Sequence, residues 1–140
     1  MRLEQADAIV SGALAEARKR SAKPLAVLVL DAGGHPVAFR REDGCSLFRF
    51  DIARAKARGA LGMGADTREL AARAAGNPTF FTTVAIATGG ELVLSPGGVR
   101  VFDGDALIGA VGISGDTGDL DEVCAHAGIA AAGLCHGAVT

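Results

Sequence analysis

The sequence predicts an α+β domain, an antiparallel sheet with helices packed on it, and three observations carry that prediction. Residues 25–30 (LAVLVL) and 36–41 (PVAFRR) flank the turn formers Asp31, Gly33 and Gly34, which reads as a β-hairpin. Residues 99–102 and 107–113 are a second apolar pair around Asp103-Gly104-Asp105, another hairpin signal. Helical periodicity occupies both ends of the chain, and no strand–helix–strand unit recurs, so a doubly wound parallel sheet is not expected.

At 140 residues, the chain is expected to form a single domain spanning 1–140. Hydrophobic residues make up 49% and charged residues 21%, a globular composition. A net charge of −2 supplies no basic footprint for nucleic acid, and six Phe with no Trp or Tyr argue against a base-stacking surface. No long uncharged apolar run exists, so neither a signal peptide nor a membrane span is expected. Cys45, Cys124 and Cys135 are odd in number and form no CxxC, which reads as reduced thiols in a cytoplasmic protein.

The first helix, about 3–20, carries Leu3, Ala6, Ile9, Val10, Ala13, Leu14 and Ala17 on one face. Pro24 ends it. Residues 25–30 have no polar interruption and so read as a strand buried on both faces. After the first hairpin, Asp43-Gly44-Cys45-Ser46 leads into a helix with Ser46 as candidate N-cap. Phe48, Ile52, Ala55, Gly59 and Met63 share one face of it, with Lys56 about 80° from Phe48, at the margin of that arc. Asp51, Arg54 and Arg58 share another face. Asp66 and Glu69 have capping-box spacing and open a short helix to about Ala75. Residues 79–88 read either as a strand or as a buried helical turn, and 91–94 as a candidate strand. The second hairpin's glycine-rich strand then enters Ser114–Asp119, all turn or cap formers, with Asp119 and Glu122 at capping-box spacing before the last helix. Gly109, Gly112 and Gly115 require close approach by a packed helix, a second subunit or a ligand.

The GAVGISG segment does not have the spacing of a dinucleotide fingerprint. Asp116, Asp119 and Asp121 stand where a pyrophosphate would need bare N–H groups. His126 follows Cys124 by two residues, a spacing that points helical side chains apart, so no metal site is expected. The richest polar cluster is Arg40, Arg41, Glu42 and Asp43, joined by Lys56. A strand end feeding a helix often lines a site, and Arg41 offers a bidentate fork for a carboxylate. A solvated rim of surface ion pairs explains the same residues.

In combination, VLVLDAGGHPVAFRREDG (27–44), ARAKARGAL (53–61), GGVRVFDGDALIGAVGISG (97–115) and the acidic start of the last helix resemble the GlcG/HbpS family. These are haem-degrading-domain proteins similar to the C-terminal domain of PduO-type proteins. The resemblance covers nearly the whole chain. It implies a five-stranded antiparallel sheet flanked by helices, assembled as a dimer or higher homo-oligomer, up to an octamer. It also implies several roles: haem binding or sensing, corrinoid binding, or deamination of amino-muconate-type acids. Arg41, Asp43, Lys56 and Asp121 fall on recurring polar positions of the family. Arg100 departs from the family pattern and adds a charge that favours an anionic ligand.

Two functional expectations follow. One is a pocket for a small carboxylate-bearing metabolite, with deaminase, lyase or isomerase chemistry. Arg41 and Arg100 would hold the carboxylate, beside Gly112 and Ser114; Lys56 would be the base or amine nucleophile; Asp43 or Asp121 would be acid/base or position the lysine. The other is a haem or tetrapyrrole module without catalysis, with His126 or His35 as candidate axial ligand.

Overall fold

The computed structural model describes residues 1–137. Helix α1 (Leu3–Lys19) precedes the hairpin β1 (Ala26–Asp31) and β2 (Pro36–Arg41). Helices α2 (Arg49–Met63), α3 (Thr67–Gly76) and α4 (Pro78–Ala87) follow, then the hairpin β3 (Gly98–Asp103) and β4 (Ala106–Ser114), and α5 (Gly118–Ala131). The sheet runs β2-β1-β4-β3 with every neighbour antiparallel. This is the expected α+β architecture, with four strands rather than five.

Alternation along β1 divides the core. Val27 and Val29 face α1 and α5, where Ile9, Val10, Val111, Ile113 and Ile129 are fully buried. Leu28 and Leu30 face α2, against Ala53, Ala57 and Ala110. The uninterrupted apolar run is therefore buried on both faces, as a central strand covered by helices on both sides must be. A third cluster, Leu70, Ala74, Phe81 and Leu92, ties α3 and α4 to the segment before β3.

The missing fifth strand has a physical reason. Residues 91–94 do not pair, and Leu92 is buried in the α3–α4 cluster instead. The outer edge of β3 is already occupied. The Gly98 N–H donates to Thr67 Oγ1 at 2.9 Å and the Arg100 N–H to Asp66 Oδ1 at 3.0 Å. Further along, Phe102 exchanges backbone hydrogen bonds with Cys135. Residues 79–88, ambiguous in the sequence, fall almost wholly in α4, with Pro78 at its start, where a missing N–H costs nothing.

Three expected caps are reassigned. Phe48, not Ser46, occupies the N-cap position of α2. Asp66 stands at the N-cap of α3, but its carboxylate serves Arg100. Thr117 caps α5 by accepting from the Leu120 N–H, while Asp119 and Glu122 both bind Arg68.

The glycine strand is explained by packing. Gly112 and Gly98 are cross-strand partners facing α2. A Cβ on Gly112 would lie 1.9 Å from the Ala53 carbonyl oxygen, and one on Gly98 would lie 2.4 Å from the Lys56 carbonyl oxygen. The backbone of α2 therefore rests directly on this row. Small residues fit beneath it, so the face it turns to the sheet carries Ala53, Ala57 and Ala60 with the buried Lys56; of the expected stripe, Ala55 and Gly59 are buried, but Phe48 is 69% exposed.

Candidate functional site

The close seating of α2 determines where its polar residues point. Lys56, expected at the margin of the apolar arc, is only 2% exposed. Its Nζ donates to the Ile113 carbonyl at 2.9 Å and to Asp121 Oδ2 at 3.1 Å. The other carboxylate oxygen of Asp121 accepts the Asp116 N–H at 3.1 Å. Gly97 closes over the pair: its φ is +120°, and a Cβ there would come within 3.0 Å of Lys56 Nζ and of Asp121 Cβ. Burial pulls the Lys56 pKa down against the attraction of Asp121, and pushes the Asp121 pKa up against the attraction of Lys56. Both shifts run towards the neutral pair.

A second polar group lies at the N-terminal end of α2. Arg41 and Ser114 are the two neighbours of Ala26 in one row of the sheet, on the face covered by α2. They stand roughly 10 Å apart across β1. Arg49, the first residue of α2, donates to Ser114 Oγ at 3.1 Å. Cys45 is buried between these groups. Burial raises its thiol pKa, and Arg49 and Arg41 oppose that rise. Phe39, two residues before Arg41, is 40% exposed and meets Phe50 edge to face with ring centroids 4.9 Å apart. Leu47 and Phe48, on the turn entering α2, are also exposed. This end of the molecule thus presents two arginines beside an apolar shelf, with the buried Ser114 hydroxyl holding Arg49 in place.

The remaining candidates are distributed elsewhere. Glu42 and Asp43 line an open cleft of about 400 Å³ with Arg18 and Pro24, which Arg41 also borders and Lys56 does not reach. Arg100 is on β3, the opposite edge strand from Arg41, so the two do not hold one carboxylate together. Arg100 is engaged by Asp66 at 3.0 Å and by the Gly64 carbonyl at 2.7 Å. Gly112 lies under α2, and Ser114 is fully buried against Arg49. His35 is exposed in the β1–β2 turn, with Nδ1 3.2 Å from Asp31 Oδ1. His126 stacks on His136, with ring centroids 3.9 Å apart and planes 12° from parallel. They line a cleft of about 420 Å³ with Asp66, Arg68 and Glu122. Burial, then the neighbouring His136, lowers the His126 pKa.

Arg49 was not singled out from the sequence. It stands four residues before Ala53 and seven before Lys56, so it extends the small-residue stripe that marks the inward face of α2. That stripe was the signal, and alanines register weakly as a hydrophobic pattern.

The fold is thus an α+β domain with a helix seated on a glycine row and a buried Lys–Asp pair beneath it. The chain matches the family model of the haem-degrading protein HbpS-like proteins over residues 1–130 and belongs to that family. Among solved structures it is similar to HbpS of Streptomyces reticuli in a double-mutant form. That likeness is at 31% identity over 93% of this chain and 85% of the other, with a TM-score of 0.79. It also resembles PduOC in complex with heme, at 24% identity over 97% of each chain and a TM-score of 0.88. The protein ORFY of Klebsiella pneumoniae aligns at 22% identity over 95% of this chain and 90% of the other, with a TM-score of 0.87. The last two likenesses speak for the fold alone. No curated protein matches the chain. Among the described residues no helix is long and apolar enough to cross a membrane.

Proposed function

We propose that this protein binds a flat, carboxylate-bearing small molecule of the tetrapyrrole class at the N-terminal end of α2. The observation that carries the reading is the placing of Arg41 and Arg49, the latter held by the buried Ser114, on one side of the sheet with exposed Phe39, Leu47 and Phe48. Guanidinium groups suit carboxylates, and the apolar shelf suits the body of the ring. Membership of the haem-degrading protein HbpS-like family supports the same ligand class. Arg41 and Arg49 would hold the propionates, and a bound haem would supply iron redox chemistry. His35, at the far end of β2, and His126, on the β3 side, lie away from the shelf. Self-association into a dimer or larger homo-oligomer, and a cytoplasmic location, belong to the same reading.

Hemin titration tests it. A saturable Soret shift at micromolar hemin is expected, weakened at least about tenfold by the Arg41→Ala, Arg49→Ala double substitution. His126→Ala and His35→Ala should leave it unchanged. A titration indifferent to both arginines would refute the site.

A catalytic reading rests on Lys56 and Asp121, whose burial shifts both towards neutral forms suited to proton transfer. Asp43 is exposed on the separate cleft, so the lysine would act with Asp121 alone. Turnover of a small amino-carboxylate that survives in a folded Lys56→Met variant would end this reading.

A further inference from the structure

Helix α4 takes part in neither reading, and its composition is unlike that of an ordinary surface helix. In a chain that is 21% charged, residues 74–90 carry no charge, and most of them are exposed. Within α4 only Phe81 is buried. At about 100° per residue, Phe80, Thr83, Ile86 and Ala87 span an arc of about 120° that faces away from Phe81. Phe80 is 49% exposed and Ile86 75%. The Phe80 ring is held edge to face against Phe81, with centroids 5.4 Å apart, so a fixed aromatic borders the arc. The threonines add little polarity. Thr82 Oγ1 donates to the Pro78 carbonyl at 2.9 Å and Thr83 Oγ1 to the Phe80 carbonyl at 2.6 Å, so both hydroxyls are engaged within the helix. The charges that border the stretch are also withheld from it. Arg73 pairs with Glu69, and Glu91 pairs with Arg54 and Arg58.

We infer that this face is where two copies of the chain meet, α4 against α4 across a two-fold axis. The inference rests on the self-association proposed above and names the surface for it. What the face lacks decides its occupant. With no Lys or Arg, it has nothing to draw it to an anionic membrane surface. With no charge of either sign, it offers no electrostatic pattern by which to select an unlike partner. An uncharged apolar arc is complementary to itself, and a two-fold contact sets the same patch on both sides. Phe80 is the anchor residue type that such contacts favour. Area sets the strength. A standard interface takes about 20–30 residues a side, and the uncharged stretch 74–90 falls short of that, so the contact belongs to the weak, concentration-dependent class.

Sedimentation equilibrium of the full chain, from low micromolar to near-millimolar concentration, tests the assignment. The wild-type protein should self-associate. Ile86→Lys and Ile86→Glu alter a side chain that is mostly in solvent, so the melting temperature of dilute protein should stay unchanged. Each should nevertheless weaken association at least about tenfold, because like charges then face each other across the axis. An equimolar mixture of the two variants should associate more tightly than either alone, since Lys then faces Glu. A wild-type chain that stays monomeric throughout would refute self-association and this surface together. Association that both variants retain at wild-type strength would refute the α4 face and leave self-association standing. A mixture no tighter than its separate components would show that α4 does not meet α4, and would overturn the two-fold contact. The proposed hemin site lies at the N-terminal end of α2, so hemin titration of the Ile86 variants is read separately.

Discussion

Asp116 and Asp121 sit five residues apart around one turn, and their surroundings drive them in opposite directions. Asp116 is half-exposed. Its carboxylate accepts the N–H groups of Lys23 and Thr117, both at 2.7 Å, and these hydrogen bonds hold its pKa below the usual value. Asp121 is 1% exposed, and desolvation raises its pKa although Lys56 and the Asp116 N–H oppose the rise. The residue type is the same; what differs is how much water each carboxylate retains. One aspartate clamps the loop to the start of β1. The other is the counter-ion of a lysine sealed under α2.

The largest expected effect comes from breaking the buried pair. Lys56→Ala leaves Asp121 buried without its partner, and should cost about 3–5 kcal/mol. The double substitution Lys56→Met, Asp121→Leu should recover most of that loss, because neither charge then needs solvation. Chemical denaturation measures both, and a double variant as unstable as the single one would show that the pair is more than mutual compensation.

Next in size is the seating of α2. Gly112→Ala drives a methyl group against the Ala53 carbonyl, and overpacking of this kind costs about 1–3 kcal/mol. Because Lys56 reaches Asp121 only when α2 lies on the glycine row, this variant should also expose Lys56 to amine-reactive labelling. Loss of stability with Lys56 still protected would separate the two features.

The finest discrimination is by pH. Asp116 has a depressed folded pKa, so its contribution is present above the unfolded value of about 3.9 and is lost as pH falls through the folded one. Asp121 has a raised folded pKa. The folded state holds that proton longer, so its contribution is greatest below about 3.9 and declines as pH rises through the folded value. Side-chain carboxyl NMR titration should place the Asp116 midpoint below, and the Asp121 midpoint above, that of aspartate in an unstructured peptide. Midpoints on the same side would contradict the contrast. The smallest effect is reserved for Arg68→Ala. Its partners Asp119 and Glu122 form a surface network that solvent screens, and the thermal midpoint should scarcely move.

Much of this molecule could be read from the chain itself. Both hairpins were legible because their turns carry Asp and Gly at positions needing special backbone geometry, and Gly34 and Gly104 do adopt positive φ. The central strand was legible because burial on both faces leaves no polar alternation. The terminal helices followed from periodicity. Local signals of this kind depend on neighbours a few residues apart. The β-or-helix ambiguity at 79–88, the absent strand at 91–94 and the reassigned caps were decided at longer range, since side chains such as Asp66 and Thr67 were taken by β3.

The functional candidates divide along the same line. The sequence by itself marked Arg41, Asp43, Lys56, Arg100, Ser114 and Asp121 as polar candidates, and glycines beside some of them as admitting something close. Tertiary structure alone decided which of them meet. Lys56 and Asp121 are 65 residues apart and become a buried pair only because Gly112 and Gly98 let a helix backbone touch the sheet. Arg41 and Arg100, similar on paper, end on opposite edge strands because the strand order is β2-β1-β4-β3. Residue chemistry is a local property, whereas proximity and loss of water are consequences of packing that no short stretch of chain contains.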